Sequence, residues 1–185
     1  MSDERALALA LFDAGLLQFG RFVTAEEVQP FQHHLAMLGS YPALLHQIAL
    51  GLAARISAVD RLLCGPGSVP LGTALALETG IPLVIGRGGG ADGARDFVGA
   101  YDIGHPAALI AHACGEASST LAHHAGRFGL NVRCVAAVLD TGPSPLAVST
   151  VALLRLPVVV EWLIEEGRIP GPLGFSVLDW LDEEA

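Results

Sequence analysis

The stretch AALIAHACGEASSTLAHHAGRFG, residues 107–129, constrains the fold more than any other part of the chain. An apolar run over 107–113 passes into small and polar residues over 114–120. A helical stripe follows, with Leu121, Ala125 and Phe128 at i, i+4 and i+7 and Gly129 placed to end it. The pattern predicts strand, tight loop and helix. In a parallel sheet, such a unit sets the free N–H groups of a helix start at the carboxyl end of a strand, where open α/β sheets bind anions.

The same alternation begins earlier and continues beyond. Residues 61–64 read as a short strand running into Gly65, Pro66, Gly67 and Ser68. Ser68 is placed to cap a helix whose Pro70 falls in the first turn and which stops at Gly80. Residues 82–86 read as the next strand. Residues 132–139, an almost unbroken apolar run, read as a strand buried on both faces, and 156–160 as a last strand. The Gly-rich segment 87–104 has no period and reads as a long mobile loop. Its GRGGGADG scans loosely as a dinucleotide fingerprint but lacks the following helix that motif requires.

Upstream, 3–14 reads as a helix with Ser2 as N-cap and Gly15 at its end, 16–23 as a short aromatic segment and 24–29 as a polar turn. Residues 31–38 read as extended. Ser40 then caps a helix over 41–56 with Leu44, Ile48, Leu52 and Ile56 on one stripe. The tail, 161–185, carries Trp162 and Trp180 on short amphipathic segments and reads as a lid or a subunit contact. The expected architecture is α/β: one domain built on a doubly wound, mostly parallel sheet with helices on both faces. It divides into an N-terminal segment (1–40), a core (41–140) and a tail (141–185).

Composition narrows the function. The chain has 185 residues, 52% hydrophobic and only 16% charged, so much of it must be buried or lie in an interface. No run reaches ~18 uninterrupted apolar residues, so no membrane span is expected. The acidic opening, MSDERALALAL, lacks the basic region of a signal peptide, and a cytoplasmic protein is expected. Net charge is -9 and all ten cations are arginines, scattered singly, which makes nucleic acid a poor partner. Cys64, Cys114 and Cys134 fit no zinc spacing and read as buried free thiols. His33 and His34 point opposite ways if extended, and His123 and His124 lie about 100° apart on a helix, so neither pair chelates one ion locally. His112 and Cys114 would share one side of a strand. No metal site is expected.

The order of these features resembles the type I phosphoribosyltransferases, most closely the orotate phosphoribosyltransferases, over roughly residues 6–140. ALALALFDAGLLQFGRFV is similar to that family's opening helix and FGxF turn, and SYPALLHQIALGLAARI to its next helix. LLCGPGSVPLGTALALETGIPLVIGR resembles its strand, pyrophosphate loop, helix and Arg-ended strand. AALIAHACGEASST stands in the place of its signature for phosphoribosyl pyrophosphate (PRPP), and VRCVAAVLD is the strand behind. The resemblance implies a homodimer that takes PRPP with Mg²⁺. Ribose 5-phosphate passes to a base nitrogen and pyrophosphate leaves, through a cation-like sugar transition state. It also implies roles: Glu116, Ala117, Ser118, Ser119 and Thr120 at the 5-phosphate; Gly65, Pro66, Gly67 and Ser68 at the pyrophosphate; Asp140 near the base; Arg87, Arg95 and His112 as catalytic candidates.

Several groups depart from that pattern. His112 and Ala113 stand where the family has two carboxylates for the ribose hydroxyls, and neither accepts two donors as a carboxylate does. The phosphate stretch has lost its glycines, and Glu116 adds a negative charge there. Neither loop carries Lys. The long one keeps only Arg87 and Arg95, against Asp92 and Asp96. The expectation is a protein of this fold with lost or much reduced transfer that binds a phosphorylated ligand, PRPP or a nucleotide. An active orotate enzyme with Arg in place of Lys, and a scaffold without ligand, stand as alternatives.

Overall fold

The apolar runs of the second half stack side by side. In the computed structural model, which describes residues 2–23, 28–87, 97–114, 116–142 and 148–183, they form one six-stranded sheet. In chain order the elements are α1 (Ser2–Asp13), β1 (Leu17–Val23), β2 (Val28–His33), a 3-10 segment (Leu35–Ser40), α2 (Pro42–Ala53), β3 (Arg61–Cys64), a 3-10 turn (Pro66–Ser68) and α3 (Val69–Thr79). There follow β4 (Leu83–Gly86), β5 (Phe97–Val98), β6 (Pro106–Ala113), α4 (Glu116–Arg127), β7 (Asn131–Asp140), β8 (Ser149–Arg155), α5 (Leu156–Glu165) and α6 (Gly171–Glu183). The sheet runs β5-β4-β3-β6-β7-β8, parallel except for β5, which lies antiparallel on β4. β1 and β2 pair separately as an antiparallel hairpin.

Burial on both faces explains the unbroken apolar strands. Along β7, Val135 and Ala137 enter the core under α4, while Ala136 and Val138 enter a larger core with side chains of α1, α2, α3, α5 and α6. β6 divides the same way, Ala107, Leu109 and Ala111 against Ala108 and Ile110. The doubly wound architecture is as expected. Gly80 ends α3 in the left-handed region at φ 70, also as expected.

Five local expectations give way. The strand expected over 156–160 is the start of α5. Leu156, Val159, Val160 and Leu163 recur at helical spacing and are all buried, and Pro157 suits a first turn. A short apolar run by itself does not distinguish the two periods. The last strand, β8, precedes it. Ser40 caps nothing; it closes the 3-10 segment, and Tyr41 takes the N-cap position of α2 without a side-chain bond. Its hydroxyl donates instead to the Ala14 carbonyl at 3.2 Å. The extended segment expected over 31–38 stops at His33, and the 3-10 segment takes over from Leu35. Val28 and Gln29 of the expected polar turn belong to β2, while 24–27 lie outside the described residues. Within the expected loop 87–104, Phe97 and Val98 pair with β4; residues 88–96 lie outside the described residues.

The tail packs on its own chain. α5 lies against α1, and α6 against the β1–β2 hairpin. Leu163, Ile169 and Val177 are buried there. Arg5 pairs with Glu165 at 2.9 Å and Glu166 at 2.7 Å, and Arg168 with Asp13 at 2.9 Å. These pairs are partly exposed, a setting in which each contributes about 1 kcal/mol or less, so apolar burial holds the tail. Among the described residues, no helix is long and apolar enough to cross a membrane.

Candidate functional site

The carboxyl ends of β3, β4, β6, β7 and β8 share one edge of the sheet, and every described candidate lies on it. α4 joins two of the loops. A Cβ on Gly65 would stand 3.6 Å from Leu121 Cδ2, and one on Gly86 only 2.6 Å from Leu121 Cδ1. Leu121 thus lies over the ends of both β3 and β4, and only glycine at 86 allows that approach. Gly65, Pro66, Gly67 and Ser68 are held beside the first turns of α4 as a result. Ser68 donates its N–H to the Gly65 carbonyl at 3.1 Å. It occupies the N-cap position of α3, as expected, but without a side-chain cap bond.

The phosphate stretch is not the loop expected. α4 begins at Glu116, so Glu116, Ala117, Ser118, Ser119 and Thr120 already belong to the helix. Without glycines nothing holds the backbone out of helical geometry, and Ala122 and Ala125 anchor the face beneath. Ser118 Oγ turns back to donate to the Ala113 carbonyl at 3.4 Å. What remains for an anion is a helix start, whose first N–H groups lack intrahelical acceptors. Gly115 lies outside the described residues.

His112 and Ala113 close β6. Alternation with Ala108 and Ile110 turns His112 toward the larger core, where it approaches His33 of β2. Burial, and after it the charge of His33, lowers its pKa to about 4. Burial, followed by His34, lowers that of His33 as well. At neutral pH the His112 ring is therefore uncharged, with one donor and one acceptor. It supplies no negative charge, and Ala113 offers only a methyl group.

Cys114, past the strand end, packs in the core under α4, so it does not share a side with His112 as expected. Burial, then the Asp140 carboxylate, pushes its thiol up to about 11 against the opposing effect of a hydrogen bond with Thr150. All three cysteines are buried and free, as expected. Asp140 ends β7, where its Oδ1 accepts the Gly142 N–H at 3.1 Å. Thr141 Oγ1 donates to the Cys114 carbonyl at 3.3 Å and ties the β6 and β7 ends together. Arg87 is exposed directly after β4, and Arg95 lies outside the described residues. Two pairings at this edge join segments far apart in the chain. His33 meets His112 across about eighty residues of chain, and Arg155 is the register partner of Asp140. No local signal in the sequence marks either. Among the described residues, no three His, Cys, Asp or Glu side chains converge to hold a metal.

No protein-family model matches the chain, and no curated protein is detectably similar to it in sequence. Solved structures, in contrast, superpose closely. UMP synthase of Leishmania donovani matches 97% of this chain at a TM-score of 0.85 and 22% identity, and this chain spans 42% of that one. The fold is the type I phosphoribosyltransferase fold. Orotate phosphoribosyltransferase of Francisella tularensis shares it, at a TM-score of 0.68 and 17% identity over 94% of this chain and 96% of its own. So does that of Mycobacterium tuberculosis H37Rv in complex with PRPP, at 0.68 and 15% over 85% and 98%. In this phosphoribosyltransferase fold, the altered positions, 112, 113 and 116–120, sit at the end of β6 and the start of α4.

Proposed function

We propose that this chain is an orotate phosphoribosyltransferase-like protein that binds a phosphorylated ligand, PRPP or a nucleotide, at the β6–α4 edge, and that its phosphoribosyl transfer is lost or much reduced. One observation carries the reading: the strand end that should present two carboxylates presents a neutral imidazole and a methyl group. Each preorganised contact removed from a transition state costs ~2.7–4 kcal/mol, so losing both slows transfer by several orders of magnitude. The N–H groups at the start of α4 and the hydroxyls of Ser119 and Thr120 support retained binding of the 5-phosphate. Gly65, Pro66, Gly67 and Ser68 frame the pyrophosphate, and Asp140 the base. Mg²⁺ would arrive with the diphosphate. The low charged fraction supports a homodimer.

A second reading, an active enzyme, draws on Arg87, an exposed guanidinium that has no partner among the described residues. Titration with PRPP and Mg²⁺ separates the readings. Saturating ligand at 100 times its dissociation constant stabilises the fold by ~2.7 kcal/mol, a rise in melting temperature with no pyrophosphate released on adding orotate. Turnover at ordinary enzyme rates would overturn the proposal in favour of the enzyme. No thermal shift with PRPP, UMP or orotidine monophosphate would leave a scaffold. If these two positions are the lesion, the double variant His112→Asp, Ala113→Asp gains measurable pyrophosphate release.

A further inference from the structure

Away from the sheet edge, a cavity of about 390 Å³ opens where the hairpin meets α6. It shares no residue with the site above. β1 and β2 pair in register at Phe19 and again at Phe22, with a shift between, which leaves Gly20 and Arg21 in an irregular stretch. A bulge of this kind bends its strand and re-aims a side chain. Arg21 here lines the cavity with Val28, Gln29, Pro30, Leu173, Ser176 and Trp180. The walls are mostly carbon. Two strong donors among them, the Arg21 guanidinium and the Trp180 indole N–H, have no acceptor among the described residues. A partly buried indole N–H ordinarily finds one.

We propose that this cavity binds a small apolar monoanion, an aryl or short-chain alkyl carboxylate, with its apolar body against Trp180, Leu173 and Val28 and its carboxylate on Arg21. The volume suits a small molecule. The planar guanidinium matches a carboxylate in two parallel hydrogen bonds. In a chain of net charge -9, an exposed arginine at the rim of an apolar cleft is a local attractor for a negative group. Apolar surface continues around it: Val28 is 46% exposed, its register partner Val23 71%, and Phe175, beside the lining Ser176, 59%. An occupant would join the hairpin to α6, two elements far apart in sequence.

The full chain carrying Trp162→Phe, which leaves Trp180 as the single indole, is titrated with 1-naphthoate and with its uncharged isostere 1-naphthamide while Trp fluorescence is followed. We expect a saturable change with naphthoate at a dissociation constant of about 1 mM or tighter and at least about tenfold weaker binding of naphthamide. Arg21→Gln, checked for an unchanged melting temperature, should weaken naphthoate about tenfold and leave naphthamide unaffected, while Arg21→Lys restores part of the loss. Equal binding of both probes, indifference to Arg21→Gln, or no saturation overturns the proposal. Failure to bind in a dimer that dissociates on Arg21→Gln overturns it too, and assigns the cavity to a second copy.

Discussion

At His112, burial and the nearby His33 favour the neutral ring in the folded state, and both histidines titrate below their ordinary value of 6.5. The unfolded chain binds their protons first as pH falls. Stability from this source is therefore complete above pH 6.5 and is lost as pH drops through the window down to about 4, the folded value for His112. Thermal melts from pH 8 to 4 should show a falling midpoint over that window, and His112→Gln should flatten the fall. A slope unchanged by the substitution would place the acid sensitivity elsewhere. The cysteines make a second residue-scale prediction. With Cys64 pushed up to about 12 and Cys114 to about 11 by burial, almost no thiolate exists at pH 8. Iodoacetamide should leave all three unlabelled in the native protein and label all three in urea, as read by intact mass.

Among the elements, α4 is the one whose two ends carry different information. Its C-terminal stop was plain from Gly129, which adopts φ 89. A Cβ there would also approach Ile103 Cα at 3.1 Å. Gly129→Ala should cost about 1–2 kcal/mol for the left-handed backbone alone, and more if Ile103 cannot give way, measured by urea unfolding. Its N-terminal end is ambiguous in the sequence because Ser, Ser and Thr read equally as loop or as first turn; only the buried stripe beneath selects helix. α5 is ambiguous for a related reason: four apolar residues with three valines suit a strand, and only burial at helical spacing selects the helix. Between α1 and α5, the two ion pairs of Arg5 are half-exposed. Arg5→Ala should lower stability by less than about 1 kcal/mol, a small shift in urea midpoint.

Over the whole molecule, the sheet and its two faces of helices were legible because their signals are local and repeated. Each parallel strand is a short apolar run, each helix a stripe with a stop, and right-handed crossovers leave few ways to connect them. The substitutions at the strand end were equally plain, since His112 and Ala113 can be read wherever they lie. Their consequence was not. The neutrality of His112 depends on a core assembled from five helices and on a hairpin that brings His33 to it. The register of Arg155 with Asp140 and the cavity between the hairpin and α6 likewise join segments far apart in the chain. Periodicity and capping act within a few residues, so the sequence by itself determined which elements form and in what order they stack. Desolvation and the meeting of distant side chains act through space, so only the tertiary structure decided which groups are charged, which are covered and which are left with hydrogen bonds to offer.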